Sequence, residues 1–101
     1  MTKRAKQRNG FLENMEIRST VEFEARLTKL CHRNKRLREK IDNKLRVLLH
    51  FPKHPSLRLH KLKSSKVEDW SVSVDRKIRI IFNYRDYGIL LVNIGSHDQV
   101  Y

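Results

Sequence analysis

Covalent cross-links, turn formers and acidic groups are all scarce in this chain. It has one cysteine, Cys31, so no disulfide can form within it. Two prolines and three glycines occur among 101 residues, few enough to be read one by one. No apolar run is long enough to span a membrane, and no hydrophobic signal region opens the sequence. Together these place the chain in a reducing cytoplasm. Acidic residues number 11 against 23 Lys and Arg, a formal net charge of +12. An excess of that size in one small domain favours a polyanionic partner, because each cation set on a phosphate releases condensed counterions. It suits an acidic protein partner equally well.

What is present divides by period. Residues 1–14 are polar and basic with little periodicity and read as a flexible arm. Residues 15–101 read as one domain. Met15 to Arg18 alternate as a short first strand. Ser19 with Glu22 three residues on forms a capping-box pattern that predicts a helix start. Phe23, Leu27, Leu30 and Cys31 then share one helical stripe, which makes Cys31 a core residue. Asn34 is placed to cap a second helix with the stripe Leu37, Ile41, Leu45, Leu48 and Leu49. Arg36, Lys40, Lys44 and Arg46 lie on its other side. Pro52 and Pro55 end that helix. Pro52 also separates His50 from His54 and breaks the helical spacing a metal pair would need, so no metal site is assigned. No cofactor is assigned either.

From residue 57 the period changes to two. Leu57, Leu59 and Leu62 belong to an irregular segment with His60, Lys61 and Lys63. Trp70, Val72 and Val74 alternate with Ser71, Ser73 and Asp75, as expected of a strand with one buried face. Asp75, Arg76 and Lys77 form a turn. Ile78, Ile80, Phe82 and Tyr84 carry the next strand, and Arg85 to Gly88 close a hairpin in which Gly88 supplies a positive φ. Ile89 to Ile94 are apolar on both faces and predict a central strand. The sum is an α+β fold: an N-terminal helical hairpin packed on a twisted antiparallel sheet.

The residues able to do chemistry gather late in the sequence. Arg79 points away from the apolar face of its strand. Gly95, Ser96, His97, Asp98, Gln99, Val100 and Tyr101 follow the central strand. Metal-independent RNA cleavage uses the ribose 2′-hydroxyl as nucleophile. It needs a base for that proton, cations for the phosphorane and an acid for the leaving 5′-oxygen. His97 has the proton affinity to serve as acid or base. Arg79 can clamp a phosphate in bidentate fashion, and Tyr101 can stack on a base or donate a hydrogen bond. His60, Lys61 and Lys63 before the sheet, with Arg76 and Lys77 in the turn, are candidate RNA-binding cations.

From Met15 to Tyr101 the chain resembles the RelE/ParE superfamily of toxins from type II toxin–antitoxin modules. The matching segments are Leu59 to Lys63, Trp70 to Val74, Ile78 to Phe82 and Ile94 to Tyr101, in the right order and spacing. The resemblance implies a microbial-ribonuclease-like sheet and, in its RelE/YafQ-like branch, a ribosome-dependent mRNA endonuclease that inhibits translation. It implies that Arg79 corresponds to the family's strand arginine, Lys61 and Lys63 to its basic pair, His97 to the catalytic histidine of YafQ-like members, and Tyr101 to their terminal aromatic residue. It implies as partners a cognate antitoxin, the ribosomal A site and mRNA. The chain departs from RelE-like members in lacking a second arginine near His97. Glu68, Asp69 and Asp75 have no clear match to the acid–base loop of YafQ-like members, so the general base stays open. Two alternatives stand beside this reading: a ParE-like inhibitor of DNA gyrase, and a non-catalytic RNA-binding module.

Overall fold

A computed structural model describes residues 15–63 and 68–101. The expected arm, residues 1–14, lies outside the described residues. The elements in chain order are β1 (Glu16–Ser19), α1 (Val21–Cys31), α2 (Lys35–His50), a 3-10 turn (Pro55–Leu57), β2 (His60–Lys61), β3 (Asp69–Ser73), β4 (Ile78–Arg85), β5 (Gly88–Ser96) and α3 (His97–Val100).

Capping fixes the helical hairpin. Asn34 Oδ1 accepts from Leu37 N at 3.1 Å, as the sequence indicates for the start of α2. The α1 cap is Thr20, one residue after the expected Ser19; its Oγ1 accepts from Phe23 N at 3.0 Å. Ser19 Oγ instead donates to the Glu24 carboxylate. Thr20 N also donates to Leu91 O at 3.0 Å, so this cap ties α1 to the sheet. Between the helices Arg33 takes a positive φ of 57°.

The described strands form one sheet in the order β1-β5-β4-β3-β2. β2, β3, β4 and β5 pair antiparallel, as the alternation indicates. β1 joins β5 in parallel, which makes the sheet mixed. The parallel pair arises because the helical hairpin carries the chain from β1 across the sheet before it returns. Gly88 permits this join: its φ is +142°, and a Cβ there would lie 2.2 Å from Glu16 O.

One sheet face is covered. Phe23, Leu27, Leu37, Ile41 and Leu48 from the helices meet Val72, Ile80, Phe82, Ile89, Leu91 and Ile94 from the strands. Burying each such side chain contributes about 1.5–3 kcal/mol, and this apolar layer fixes which face of every strand looks outward. Trp70 packs partly buried against it, as does Cys31. Burial raises the Cys31 thiol above its ordinary value and likewise raises the half-buried Tyr84 phenol.

The other face carries Asp69, Ser71 and Ser73 on β3, Arg79, Ile81 and Asn83 on β4, and Asn93 and Gly95 on β5, all related by the strand register. A bulge between Ile81 and Phe82 shifts the register, so that Ile81 faces Asn93 and Phe82 faces Leu91. α3, four residues long, brings the last residue back over this face; its Tyr101 N donates to His97 O at 3.0 Å.

Candidate active site

The open face presents one arginine early on β4. Arg79 has Ser73 beside it on β3 and Gly95 on β5. Its guanidinium reaches across to Ser71, whose Oγ accepts from Arg79 Nε at 2.8 Å. Ser71 is fully buried, so its hydroxyl is a fixed post beneath the cation.

Tyr101 arrives from the opposite side. Its phenolic oxygen also accepts from Arg79 Nε at 2.8 Å, and its hydroxyl donates to Ser71 Oγ. The ring of Tyr101 is 46% exposed, so it is held at the hydroxyl and open to solvent along its body. That suits a side chain that stacks on a ligand.

His60 is the fourth member. It pairs with Ser71 across β2 and β3 and so shares the open face. Its Nε2 lies 3.2 Å from Tyr101 Oη and its Nδ1 lies 3.4 Å from Arg79 Nη2. The Arg58 carbonyl completes the ring: it accepts from Arg79 Nη2 at 3.3 Å and lies 3.3 Å from His60 Nδ1. Arg58 holds a left-handed conformation, φ 48° and ψ 47°, which turns that carbonyl toward the cluster. If His60 carries its proton on Nε2, it donates to Tyr101 and its Nδ1 accepts from Arg79. If the proton is on Nδ1, it donates to Arg58 O, and Nε2 can accept from Tyr101 once that hydroxyl hydrogen turns from Ser71 to His60. The direction of the His60–Tyr101 contact beside the cation thus follows the imidazole tautomer.

Every hydrogen bond that Arg79 makes among the described residues uses Nε or Nη2. Nη1 takes no part in these bonds and is the guanidinium nitrogen left to meet a phosphate oxygen, on a side chain already held in place.

His97 does not touch Arg79. Its ring packs edge-on against Tyr101 with centroids 4.4 Å apart, and its Nδ1 lies 3.7 Å from Asp98 Oδ1. It is exposed, and Tyr101 contacts two imidazoles, His60 at 6.1 Å and His97 at 4.4 Å between ring centroids. Lys61, a candidate RNA-binding cation, does not join the Arg79 cluster. Strand alternation sets His60 and Lys61 on opposite faces, and Lys61 is in register with Trp70 on the helix side. Its ammonium pairs with Glu68 at 2.6 Å. The hydrogen bond from Lys61, with its charge, lowers the Glu68 carboxyl below its usual range. Lys63, Arg76 and Lys77 are exposed. The turn holding Arg76 and Lys77 ends two residues before Arg79, and Asp75 Oδ1 braces it by accepting from Lys77 N and Ile78 N at 2.8 Å each.

Sequence reasoning did not single out Ser71 or the Arg58 carbonyl, and it took His60 for a binding cation only. Ser71 was legible in one respect: a serine facing outward from a half-apolar strand next to the arginine strand. His54, set aside as a ligand, caps the 3-10 turn through its Nδ1, which accepts from Ser56 N at 3.1 Å.

No protein-family model matches the chain, and no curated protein matches its sequence. Solved structures do. YafQ in the E. coli DinJ–YafQ toxin–antitoxin complex superposes with a TM-score of 0.68 at 15% identity, over 87% of this chain and 98% of that one. A metal-bound toxin from Helicobacter pylori gives 0.69 at 19% identity, over 86% and 99%. YoeB from Staphylococcus aureus, solved as a dimer, gives 0.66 at 17% identity, over 83% and 98%. The fold is that of the RelE/YafQ-like toxins. Because each neighbour is covered over 98–99% of its own length, the whole of the neighbours' fold has a counterpart in this chain. At this identity the likeness speaks for the fold, and the chemistry rests on the side chains described above. Among the described residues, no helix is long and apolar enough to cross a membrane.

Proposed function

We propose that this RelE/YafQ-like chain is the toxin of a type II toxin–antitoxin module and a metal-independent endoribonuclease that cuts mRNA on the ribosome and so inhibits translation. The observation that carries the reading is the convergence of Arg79, His60, Tyr101 and Ser71 at one point of the open sheet face. The Nη1 end of Arg79 takes a non-bridging phosphate oxygen and offsets the charge that grows on the phosphorane. One imidazole removes the 2′-hydroxyl proton, the 2′-oxygen bonds to phosphorus, and the P–O5′ bond breaks. A second proton goes to the leaving 5′-oxygen. His60 and His97, both in ring contact with Tyr101, are the two imidazoles offered for these roles. The products are a 2′,3′-cyclic phosphate and a 5′-hydroxyl. Tyr101 supplies its exposed ring to a base and its hydroxyl to the cluster. Lys63, Arg76 and Lys77 form the outer cations that draw in the RNA backbone, while Lys61 is engaged by Glu68.

The formal charge of +12 and the fold shared with YafQ, which is solved bound to DinJ, support a cognate antitoxin as partner. An acidic segment that orders along α2 would set carboxylates against Arg36, Lys40 and Lys44. The site of action is the cytoplasm, where ribosomes and mRNA are found.

The test is a purified translation system given the full chain, with mRNA integrity read by primer extension. Translation arrest with discrete mRNA cuts supports the reading. Intact mRNA with supercoiling arrested and DNA cleaved would instead identify a gyrase inhibitor, and arrest of neither would leave an RNA-binding module.

A further inference from the structure

At the edge of the sheet, away from the Arg79 cluster, the open face carries a second arginine that is held in place. Ile17 packs on the core, so strand alternation sets Glu16 and Arg18 on the open side of β1. Arg18 Nε donates to Glu16 Oε1 at 3.0 Å, and its Nη2 lies 3.0 Å from the same oxygen. The guanidinium carbon lies 3.9 Å from the centroid of the Tyr87 ring, a cation–π contact. Tyr87 is tied back in turn: its carbonyl accepts from Glu16 N at 2.8 Å. Glu16, Arg18 and Tyr87 thus close a small ring of contacts around one flat cation.

This unit is built for a nucleobase more than for a phosphate. A planar guanidinium has two faces, and Tyr87 covers one of them. The side chain keeps 57% of its surface exposed, so the other is the face left for a flat partner. The Glu16 carboxylate offsets the charge of Arg18, and Asp86 stands exposed next to Tyr87 in the turn. A phosphate would be repelled by both carboxylates. An uncharged ring stacked on the guanidinium would not.

The unit lies within reach of a strand anchored at Arg79. Arg18 is in register with Leu90 on β5, and Leu90 with Asn83 on β4, four residues along from Arg79. The separation is roughly 13 Å along the strand and roughly 10 Å across two strand spacings, or roughly 16 Å in all. A few nucleotides span such a distance. β5 lies between, and no side chain from Leu90 to Gly95 carries a charge. Its half-buried Leu90, Val92 and Asn93 give a neutral floor on which bases can lie while their phosphates stay in water.

Resting on the ribonuclease reading above, we infer that the Arg18–Tyr87 stack is a second RNA subsite, a platform for one base of a single strand whose phosphate is held at Arg79. The base lies on the free face of the guanidinium and extends the stack that Tyr87 begins. Every base has a π-face, so the platform is indifferent to sequence and adds affinity by holding the strand in line. A dinucleotide reaches Arg79 alone; a longer strand reaches both.

The experiment titrates the full-length chain, followed by NMR, with a dinucleotide and a hexanucleotide of 2′-methoxy adenylate, which cannot be cut through the 2′-oxygen. The inference requires the hexanucleotide alone to shift the Tyr87 ring. It also requires Arg18→Ala to weaken hexanucleotide binding about tenfold and to leave the dinucleotide unaffected. Arg18→Lys keeps the charge and loses the plane, so it should weaken the hexanucleotide nearly as much. The salt dependence of hexanucleotide binding should be the same in all three proteins, because no phosphate contact is lost. If Arg18→Lys binds as the unaltered chain does, and the salt slope of Arg18→Ala is shallower by about 0.7, Arg18 meets a phosphate and the base platform is overturned. Hexanucleotide binding unchanged in Arg18→Ala, with shifts confined to Arg79 and His60, overturns the subsite and leaves the Arg79 site standing. Absence of binding by either oligonucleotide overturns the subsite and removes the anion site on which the ribonuclease reading depends.

Discussion

Arg79 and Tyr101 are 22 residues apart and meet at 2.8 Å, guanidinium Nε to phenolic oxygen. The contact joins the start of β4 to the end of the chain, so the charge of the site and its aromatic surface are set relative to one another. Ser71 lies beneath both. An arginine held this way has given up its rotational freedom before any ligand arrives, which is the condition under which electrostatic stabilisation of a transition state is largest.

Replacing Arg79 separates charge from geometry. Arg79→Ala is expected to lower single-turnover cleavage of ribosome-bound mRNA on the order of a hundredfold. Arg79→Lys should fall between, since an ammonium keeps the charge and loses the fork. Equal rates for the three proteins would place Arg79 outside the site.

Ser71→Ala removes the post and leaves the cation. We expect a stability loss of about 1 kcal/mol and a drop in the chemical step on the order of tenfold, with RNA affinity nearly unchanged. Ser71→Cys, which restores a weak acceptor, should recover part of the rate. A fall in affinity with the rate of the bound complex preserved would show that Ser71 does not act through Arg79.

Gly95 sets the position of α3. A Cβ at this residue would lie 2.6 Å from Gln99 Oε1, the atom that accepts from Ser96 N at 2.8 Å to cap the helix. Gly95→Ala should therefore displace Gln99, loosen α3 and shift Tyr101, with activity falling more than thermal stability. The double variant Gly95→Ala/Gln99→Ala relieves the 2.6 Å contact, leaves the residue-99 Cβ at 3.1 Å and gives up the cap, so it should recover only part of the activity lost in Gly95→Ala. If the single variant matches the unaltered protein, the placement of Tyr101 does not depend on this contact.

Cys31 offers a pH test of the core. Burial raises its pKa, so at any pH below that value less thiolate is present in the folded chain than in the unfolded one. Only the thiolate is alkylated. Iodoacetamide should modify Cys31 more slowly in the native protein than in urea at pH 8, and the gap should narrow as the pH rises through the raised value. Equal rates at pH 8 would contradict a thiol partly buried against the core.

Much of this arrangement was legible in the sequence because it follows from single-residue rules. The helical stripes, the Asn34 cap, the turn before Ile78 and the central place of Ile89 to Ile94 all stem from period or turn chemistry. Arg79 faces outward because Ile78 and Ile80 must face inward. What could not be read depends on register between distant segments. β2 is two residues long, and shifting it by one would exchange His60 for Lys61 on the open face. No local pattern in the sequence decides that register. Ser71 gains its role only once Arg79 and Tyr101 are brought together. The parallel seat of β1 needs the crossover through the helices, and the Thr20 cap is selected over Ser19 by its bond to Leu91, a contact 71 residues away in sequence.

The most direct test of the central claim is the chemistry of the cut ends. Full-length chain is added to ribosomes stalled on a defined mRNA, with a second mRNA carrying a single 2′-deoxynucleotide at the cut position. Attack by the 2′-oxygen predicts fragments with a 2′,3′-cyclic phosphate and a 5′-hydroxyl, no cut at the deoxy position, and loss of both fragments with Arg79→Ala. Fragments bearing 5′-phosphates, or equal cutting of the deoxy-substituted mRNA, would contradict it.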